Sequence, residues 1–398
     1  SHLGMRSGNL PPDLPAKRST GVYSPVAPNR FAAATPMPLP RIDPANYAAQ
    51  LAGKVAQFQR DFAPFAIPAP EVFPSAREHY RLRAEFRVWH QGDDLHYAMF
   101  DPENPRQPVM VKDFPVAAES ICALMPSLLD RLRASQTLRG GLFQADFLAT
   151  LSGELMVTLI YRRPLGAGWE LAARDLAANL GIQVIGRSRG QKVILDRDWL
   201  LEEFDLNGRR LRYQQVEGSF TQPNGGVNRQ MLGWACSQAA GLGGDLLELY
   251  CGNGNFTMAL APLFDKVLAT EVSKSSVRAA EYNLAANEVD NLALVRASSE
   301  EIAAALAGRT VLKRLKDIDL AGYRFSTLFV DPPRSGLDAT TLQFAAGFDH
   351  ILYISCNPQT LQENVAALQA THVVSAAAVF DQFPYTLHLE CGLLLTRR

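Results

Sequence analysis

Three short stretches carry residue types capable of covalent chemistry. ILYISCNPQTL, Ile351 to Leu361, runs β-forming residues into Ser355-Cys356-Asn357-Pro358, so a thiol stands where a strand gives way to a turn. LHLECG, Leu387 to Gly392, sets the carboxylate of Glu390 in an apolar strand that continues Leu393-Leu394-Leu395, where burial would raise its pKa toward a range useful for proton transfer. FVDPPRSGLD ends another apolar run on Asp331, and two prolines fix the loop that follows. A cysteine thiolate can add to carbon-6 of a uracil or cytosine; carbon-5 then becomes enolate-like and can attack a sulfonium methyl. A base must finally remove the carbon-5 proton so that the thiol leaves. Cys356 suits the nucleophile, and Glu390 or His388 the base. Plainer readings stand beside these: a buried free Cys is usually a small hydrophobe, a Glu or His on an edge strand faces water, and Asp-Pro-Pro is a common strand ending.

A fourth stretch could hold a cofactor. In LLELYCGNGNFT, Leu246 to Thr257, the glycines Gly252 and Gly254 follow a short apolar strand and precede a helix, an arrangement that brings backbone N–H groups close to a ligand. The dinucleotide fingerprint wants a third glycine where Thr257 stands, which argues against NAD. The next strand ends on Glu271, placed to take both hydroxyls of a ribose. A glycine loop and a ribose acid without a pyrophosphate signature suggest S-adenosylmethionine. An ordinary βα turn with a solvated Glu is the alternative.

The elements that must position these residues follow from periodicity. Tyr47 to Phe62 has helical spacing on Leu51, Val55 and Phe58, and Arg81 to His90 alternates, with Leu82, Ala84, Phe86 and Val88 on one face and Arg81, Arg83, Glu85 and Arg87 on the other. Strands running into strands with helices set apart describe an α+β domain over 41–215. From 216 to 398 strand alternates with helix, which means a parallel, doubly wound α/β sheet of Rossmann-like type. The last segment, Ala376 to Thr396, reads as an antiparallel hairpin closing the sheet edge. Eight of the 25 prolines precede Arg41, so 1–40 reads as a disordered tail whose opening SHLGM resembles an expression remnant.

With 39 basic and 40 acidic residues, nucleic acid could be attracted only by a local basic patch. The five cysteines have no C-x-x-C spacing, so no zinc or iron-sulfur ligand set is suggested, and scattered thiols fit a reducing cytoplasm. No apolar run is long enough to cross a bilayer.

Taken together, SFTQPN, LLELYCGNGNFT, ATEVSKSSV, FVDPPRSGLD, YISCNPQTL and DQFPYTLHLECG resemble the uracil-5 methyltransferases of RNA, and HYRLRAEFRVWH, DFP and LFQADFL extend the resemblance into the N-terminal half. It implies a class I methyltransferase domain preceded by a smaller RNA-binding domain, with Cys356 as nucleophile and Glu390 as proton acceptor. It further implies S-adenosylmethionine contacts from Gln222, Tyr250, Gly252, Asn255, Glu271 and Asp331, and loop-RNA contacts from Arg87 and Phe143, with Arg81 and Arg83 on the same basic strand. Relatives acting on ribosomal RNA often carry an oligonucleotide-binding barrel and a four-cysteine cluster. This chain has no such cysteine set, which favours a tRNA substrate, uridine 54 of the T loop, with other T-like loops as further candidates and a monomer as the expected state. Without the resemblance, Phe143 reads as a core strand residue and the arginines as a solvated face.

Other functions fit parts of the pattern. An amino-group methyltransferase would use Asp331-Pro332-Pro333 to orient an exocyclic nitrogen and would need no cysteine. A catalytically idle RNA-binding or chaperone protein on the same scaffold would methylate nothing. A dehydrogenase is disfavoured by Thr257.

Overall fold

The structure, a computed structural model, describes residues 42–398; the expected tail, 1–40, lies outside the described residues. Helix α1 (Tyr47–Phe62) comes first and buries Tyr47, Leu51, Phe58 and Phe62, and the short strand β1 (Glu71–Phe73) follows. Then come β2 (Arg83–Gln91), β3 (Asp94–Asp101), β4 (Asn104–Val111), α2 (Glu119–Ala134), α3 (Gln136–Arg139), β5 (Leu142–Ala149), β6 (Leu155–Tyr161), α4 (Ala167–Leu180), β7 (Gln183–Ser188) and β8 (Gln191–Ile194). The sheet runs β4-β3-β2-β5-β6-β7-β8, with every neighbouring pair antiparallel except β6 and β7, which are parallel. Leu82, Ala84, Phe86 and Val88 are all buried, as the alternation required, against a core that includes Ile121 and Leu128 of α2 and Trp169 of α4.

A hairpin, β9 (Trp199–Leu206) and β10 (Arg209–Val216), leads into the second half. There α5 (Gly225–Ala239), β11 (Asp245–Leu249), α6 (Asn255–Leu260), β12 (Val267–Glu271), α7 (Lys274–Ala286), β13 (Leu292–Arg296), α8 (Ser299–Leu306), β14 (Phe325–Val330), α9 (Ala339–Ala345), β15 (His350–Ser355), α10 (Pro358–Leu368), β16 (His372–Phe380) and β17 (Glu390–Arg397) follow in order. The sheet runs β1-β16-β17-β15-β14-β11-β12-β13, parallel except for β17. Helices cover both faces, so β11 is buried along its whole length and β15 from Ile351 to Ser355.

Two boundaries differ from those the sequence suggested. Within 41–215, α1 and β1 belong by packing to the second sheet: Phe58 and Phe62 share a core with Leu247, Leu328 and Tyr353, while β1 pairs with β16 and Phe73 stacks on Phe380. The β9–β10 hairpin likewise buries Phe204, Leu211 and Tyr213 against α5 and α6. The C-terminal hairpin does not close the edge. Its second strand is inserted beside β15, and β1 takes the edge beyond β16. Among the described residues no helix is long and apolar enough to cross a membrane, and no group of His, Cys, Asp or Glu is placed to hold a metal.

Candidate active site

In open α/β sheets ligands bind beyond the carboxyl ends of the strands, where the strand order reverses. Here that point is β11, with β12 on one side and β14 on the other. The registers Leu249↔Val330 and Glu248↔Ala269, continued to the strand ends, bring Asp331, Tyr250 and Glu271 into one row along this edge. On β15, Ser355 pairs with Cys391 of antiparallel β17. The same register continued one step sets Cys356 opposite Glu390, and directly opposed residues of antiparallel strands lie about 4.5–5.5 Å apart at Cα. Residues 34 positions apart in the chain thereby become neighbours at the ligand edge. The strand itself stops at Ser355, so Cys356 is the first residue of the turn, and Asn357 caps α10 by accepting from Gln359 N.

The glycine loop is braced from behind. Tyr250, Gly252 and Gly254 all take positive φ (59°, 57° and 85°), and a Cβ on Gly254 would stand 2.7 Å from Met258 Cε. Glu271 accepts from Gly252 N at 3.0 Å and from Val272 N and Ser273 N, so the acid and the loop form one unit. Tyr213 OH donates to the Asn255 carbonyl, and buried Asn283 donates to the Asn253 carbonyl while accepting from Gln214 N. The side chain of Asn255 exchanges two hydrogen bonds with Asn228 of α5, and Tyr250 OH donates to Ser299 Oγ. Gln222 accepts from Gln382, which follows β16 at the same edge and whose Oε1 is buried without a partner among the described residues. Asn228, Asn283, Tyr213 and Gln382 escape a reading of the sequence because isolated amides and a tyrosine in short elements carry no periodic signal.

Electrostatically the edge is crowded with acids. Burial pushes the Cys356 thiol up to about 12, and the charges of Glu390 and Asp331 add to that, while Arg334 opposes them. Burial also holds the Glu390 carboxyl well above the usual range, with Asp331 adding and Arg334 opposing. Arg334 is the residue the motif FVDPPRSGLD offered without a role: its carbonyl accepts from Asn357 Nδ2 and Thr360 Oγ1, and its Nη1 lies 3.5 Å from His388 Nδ1. Cys356, Arg334, Asn357, His388 and Leu389 line one cavity of about 440 Å³. His388, the alternative base, has its pKa lowered by burial and then by Arg334, which leaves it neutral beside the guanidinium. The other thiols are placed differently: Cys236, Cys251 and Cys391 are buried, and Cys122 donates to the carbonyls of Phe114 and Ala117.

Burial likewise raises the Asp331 carboxyl to about 7. The folded state therefore binds a proton that an unfolded aspartate, with a pKa near 3.9, has already lost, so stability falls as pH rises from about 4 through 7. Asp331→Asn removes this charge at constant shape. Its expected effect is a melting temperature higher than that of the parent by about 2 °C at pH 8, with the gap closing toward pH 5, as read by calorimetry without cofactor. A gap independent of pH would refute the assignment.

The four residues expected to meet RNA do not form one face. Arg87 lies 3.5 Å from the centroid of the Phe143 ring, and Arg162, which the sequence did not single out, lies 4.0 Å from it, so two guanidinium groups cover one aromatic. Phe143 is half-buried and falls where the β5–β6 register shifts, between Leu142 and Gln144, which frees it from the strict alternation of a core strand. Arg81 and Arg83 are instead taken up by backbone carbonyls: Arg81 Nε donates to the Arg83 carbonyl, and Arg83 Nη1 crosses to that of Ser219 in the second half. A strand's alternation reveals which residues share a face but not what that face meets.

A doubly wound sheet with an antiparallel strand inserted beside β15, and a braced glycine loop and an acid at the switch point, define a class I, Rossmann-like methyltransferase fold. Among solved structures the chain resembles Pyrococcus abyssi tRNA (uracil-54, C5)-methyltransferase in complex with S-adenosyl-L-homocysteine, with a TM-score of 0.66 at 20% identity, covering 88% of this chain and 84% of that one. The family model described as tRNA (Uracil-5-)-methyltransferase matches residues 46–398. The tRNA/tmRNA (uracil-C(5))-methyltransferase of Aromatoleum aromaticum is 72% identical over 362 residues, covering 91% of this chain and 98% of that protein, and the one of Dechloromonas aromatica is 71% identical over 362 residues. The chain belongs to the tRNA (uracil-5-)-methyltransferase family and is an S-adenosylmethionine-dependent methyltransferase. The residues present fit that cofactor: the left-handed loop gives backbone access, Glu271 suits the ribose, and the free Oε1 of Gln382 beside Gln222 is a buried acceptor waiting for a donor.

Proposed function

We propose that the protein methylates carbon-5 of uridine 54 in the T loop of tRNA, with Cys356 as nucleophile and Glu390 as proton acceptor. The observation that carries this reading is the cross-strand register that, continued one step, sets Cys356, which lines the cavity, against buried Glu390, at the edge where Asp331, Tyr250 and Glu271 fall in one row. Tyr250, Gly252, Asn255, Glu271, Asp331 and Gln222 would hold the cofactor. Bound S-adenosylmethionine supplies an electrophilic methyl group on a positively charged sulfur.

The chain's own groups do the rest. The Cys356 thiol gives its proton to solvent in the open cavity, Sγ then forms a bond to carbon-6 of the flipped uracil, and the electron pair of the 5,6 double bond moves toward carbon-5 and the O4 carbonyl. Arg334 is the cation that acts on both the thiol and Glu390, and it favours the ionised forms that the neighbouring acids oppose. Once carbon-5 carries the methyl group, Glu390 takes the carbon-5 proton, the double bond re-forms and the sulfur leaves as thiolate. Arg87 and Arg162, both stacked on Phe143, would offer guanidinium planes and positive charge to an unstacked loop, one of the ways single-stranded RNA is bound. The relatives named for both tRNA and tmRNA support a T-like loop as the unit recognised.

Incubating unmodified tRNA with methyl-labelled cofactor tests the reading. The expected product is 5-methyluridine at position 54. Label on an exocyclic nitrogen would favour the amino-group alternative, and no label would leave only an RNA-binding role.

A further inference from the structure

The segment between β16 and β17, residues 381–389, is tied down nearly everywhere. Asp381 accepts from Tyr47 OH, Gln50 Nε2 and Lys54 Nζ, and Lys54 also donates to the Phe383 carbonyl. Tyr385 N donates to Gln50 Oε1, Tyr385 OH donates to the Arg77 carbonyl, and the Tyr385 backbone is held at φ 62°, in the left-handed region that a bulky residue avoids. Thr386 Oγ1 donates to the Phe383 carbonyl and accepts from His388 N. Such a conformation persists only where its surroundings over-determine it.

One side chain in this clamped loop touches almost nothing. Leu387 is 100% exposed, the most exposed large apolar residue described, and it lines the same cavity as Cys356 and Arg334. An apolar side chain held in water by a clamped loop, beside the cavity that Cys356 lines, is what base extraction calls for. A nucleotide swung out of its stack leaves a gap that loses stacking on both sides, and apolar wedges fill such gaps.

We infer that Leu387 is a positioning residue that inserts into the loop RNA beside the extracted uridine and keeps it from returning. This rests on the function proposed above. The wedge is pre-formed: the hydrogen bonds to α1 set the loop before RNA arrives, so little ordering is needed on binding.

The test measures formation of the denaturation-resistant adduct between the protein, with S-adenosylmethionine, and a T-arm hairpin carrying 5-fluorouridine at the target position. It is repeated on the same hairpin with abasic nucleotides on both sides of the target, where no stack opposes extraction. Leu387→Ala is expected to slow adduct formation on the intact hairpin on the order of 10- to 100-fold, in line with the cost of unstacking a base. On the abasic hairpin the change is expected to be about twofold or less, and Leu387→Met is expected to restore most of the rate on the intact one because its unbranched apolar chain fills a similar gap. Equal rates for Leu387→Ala and the parent on the intact hairpin would overturn the inference, as would equal losses on both RNAs. Failure of the parent protein to form an adduct with either RNA would sink the proposed function, and the inference with it.

Discussion

Cys356→Ala is expected to reduce methyl transfer on the order of 10⁴-fold or more and to abolish the adduct with 5-fluorouridine RNA, while binding of S-adenosylhomocysteine by calorimetry changes little. The size follows from the chemistry: without a bond at carbon-6, carbon-5 of uracil has no electron pair to offer, and no other thiol lines the cavity. The state of the thiol sharpens the test. With its pKa pushed up to about 12, only about one Cys356 in 10⁵ is ionised at pH 7 in the free protein. Alkylation of Cys356 by iodoacetamide should therefore be slow at neutral pH and accelerate about tenfold per pH unit, until ligands that bring positive charge to the edge lower the barrier. Rapid alkylation at pH 7 without ligands would contradict the electrostatic account, and retained activity in the alanine variant would overturn the nucleophile.

The second large effect is expected at Glu390. Glu390→Gln should lower turnover about 10³-fold, within the range supplied by a positioned base, and should leave the first half of the reaction in place. Ordinary tRNA then becomes a trap: with cofactor present, methylated RNA stays bonded to Cys356 and migrates with the protein on a denaturing gel. The variant should fold as well as the parent, because glutamine has the same shape and the buried site already disfavours a charged carboxylate. A variant that turns over slowly without accumulating adduct would move the base elsewhere, with His388, 3.5 Å from Arg334, as the next candidate.

Much of this site was legible in the chain. The apolar runs ending on Tyr250, Glu271, Asp331 and Ser355 marked the carboxyl ends of parallel strands, and glycines in left-handed positions marked the loop. What could not be read was lateral order. A hairpin at Ala376 to Thr396 is recognisable from turn residues, but nothing local says that β17 slides in beside β15, and that insertion is what faces Glu390 with Cys356. Arg334 stood in plain view within a motif, yet its value comes from Cys356 and Glu390, which only the fold brings near. Arg81 and Arg83 show the converse. Their charge suggested RNA, and their neighbours turned out to be backbone carbonyls, that of Arg83 two residues on for Arg81 and that of Ser219 in the other half for Arg83.

The Lys54–Asp381 ion pair joins residues 327 positions apart, and its charged groups are nearly sealed from water. The small sheet from β2 to β8 is thus an insert in a catalytic half whose pieces lie on either side of it. Closing contacts at such separations is slow, because loop entropy is lost before any contact forms, whereas the small sheet can assemble from neighbours in sequence. In refolding, protection from hydrogen exchange should therefore arise first in β2–β8, and the clamp on residues 381–389 should be among the last features to set. The protein would gain a surface for RNA before it gains the means to modify it.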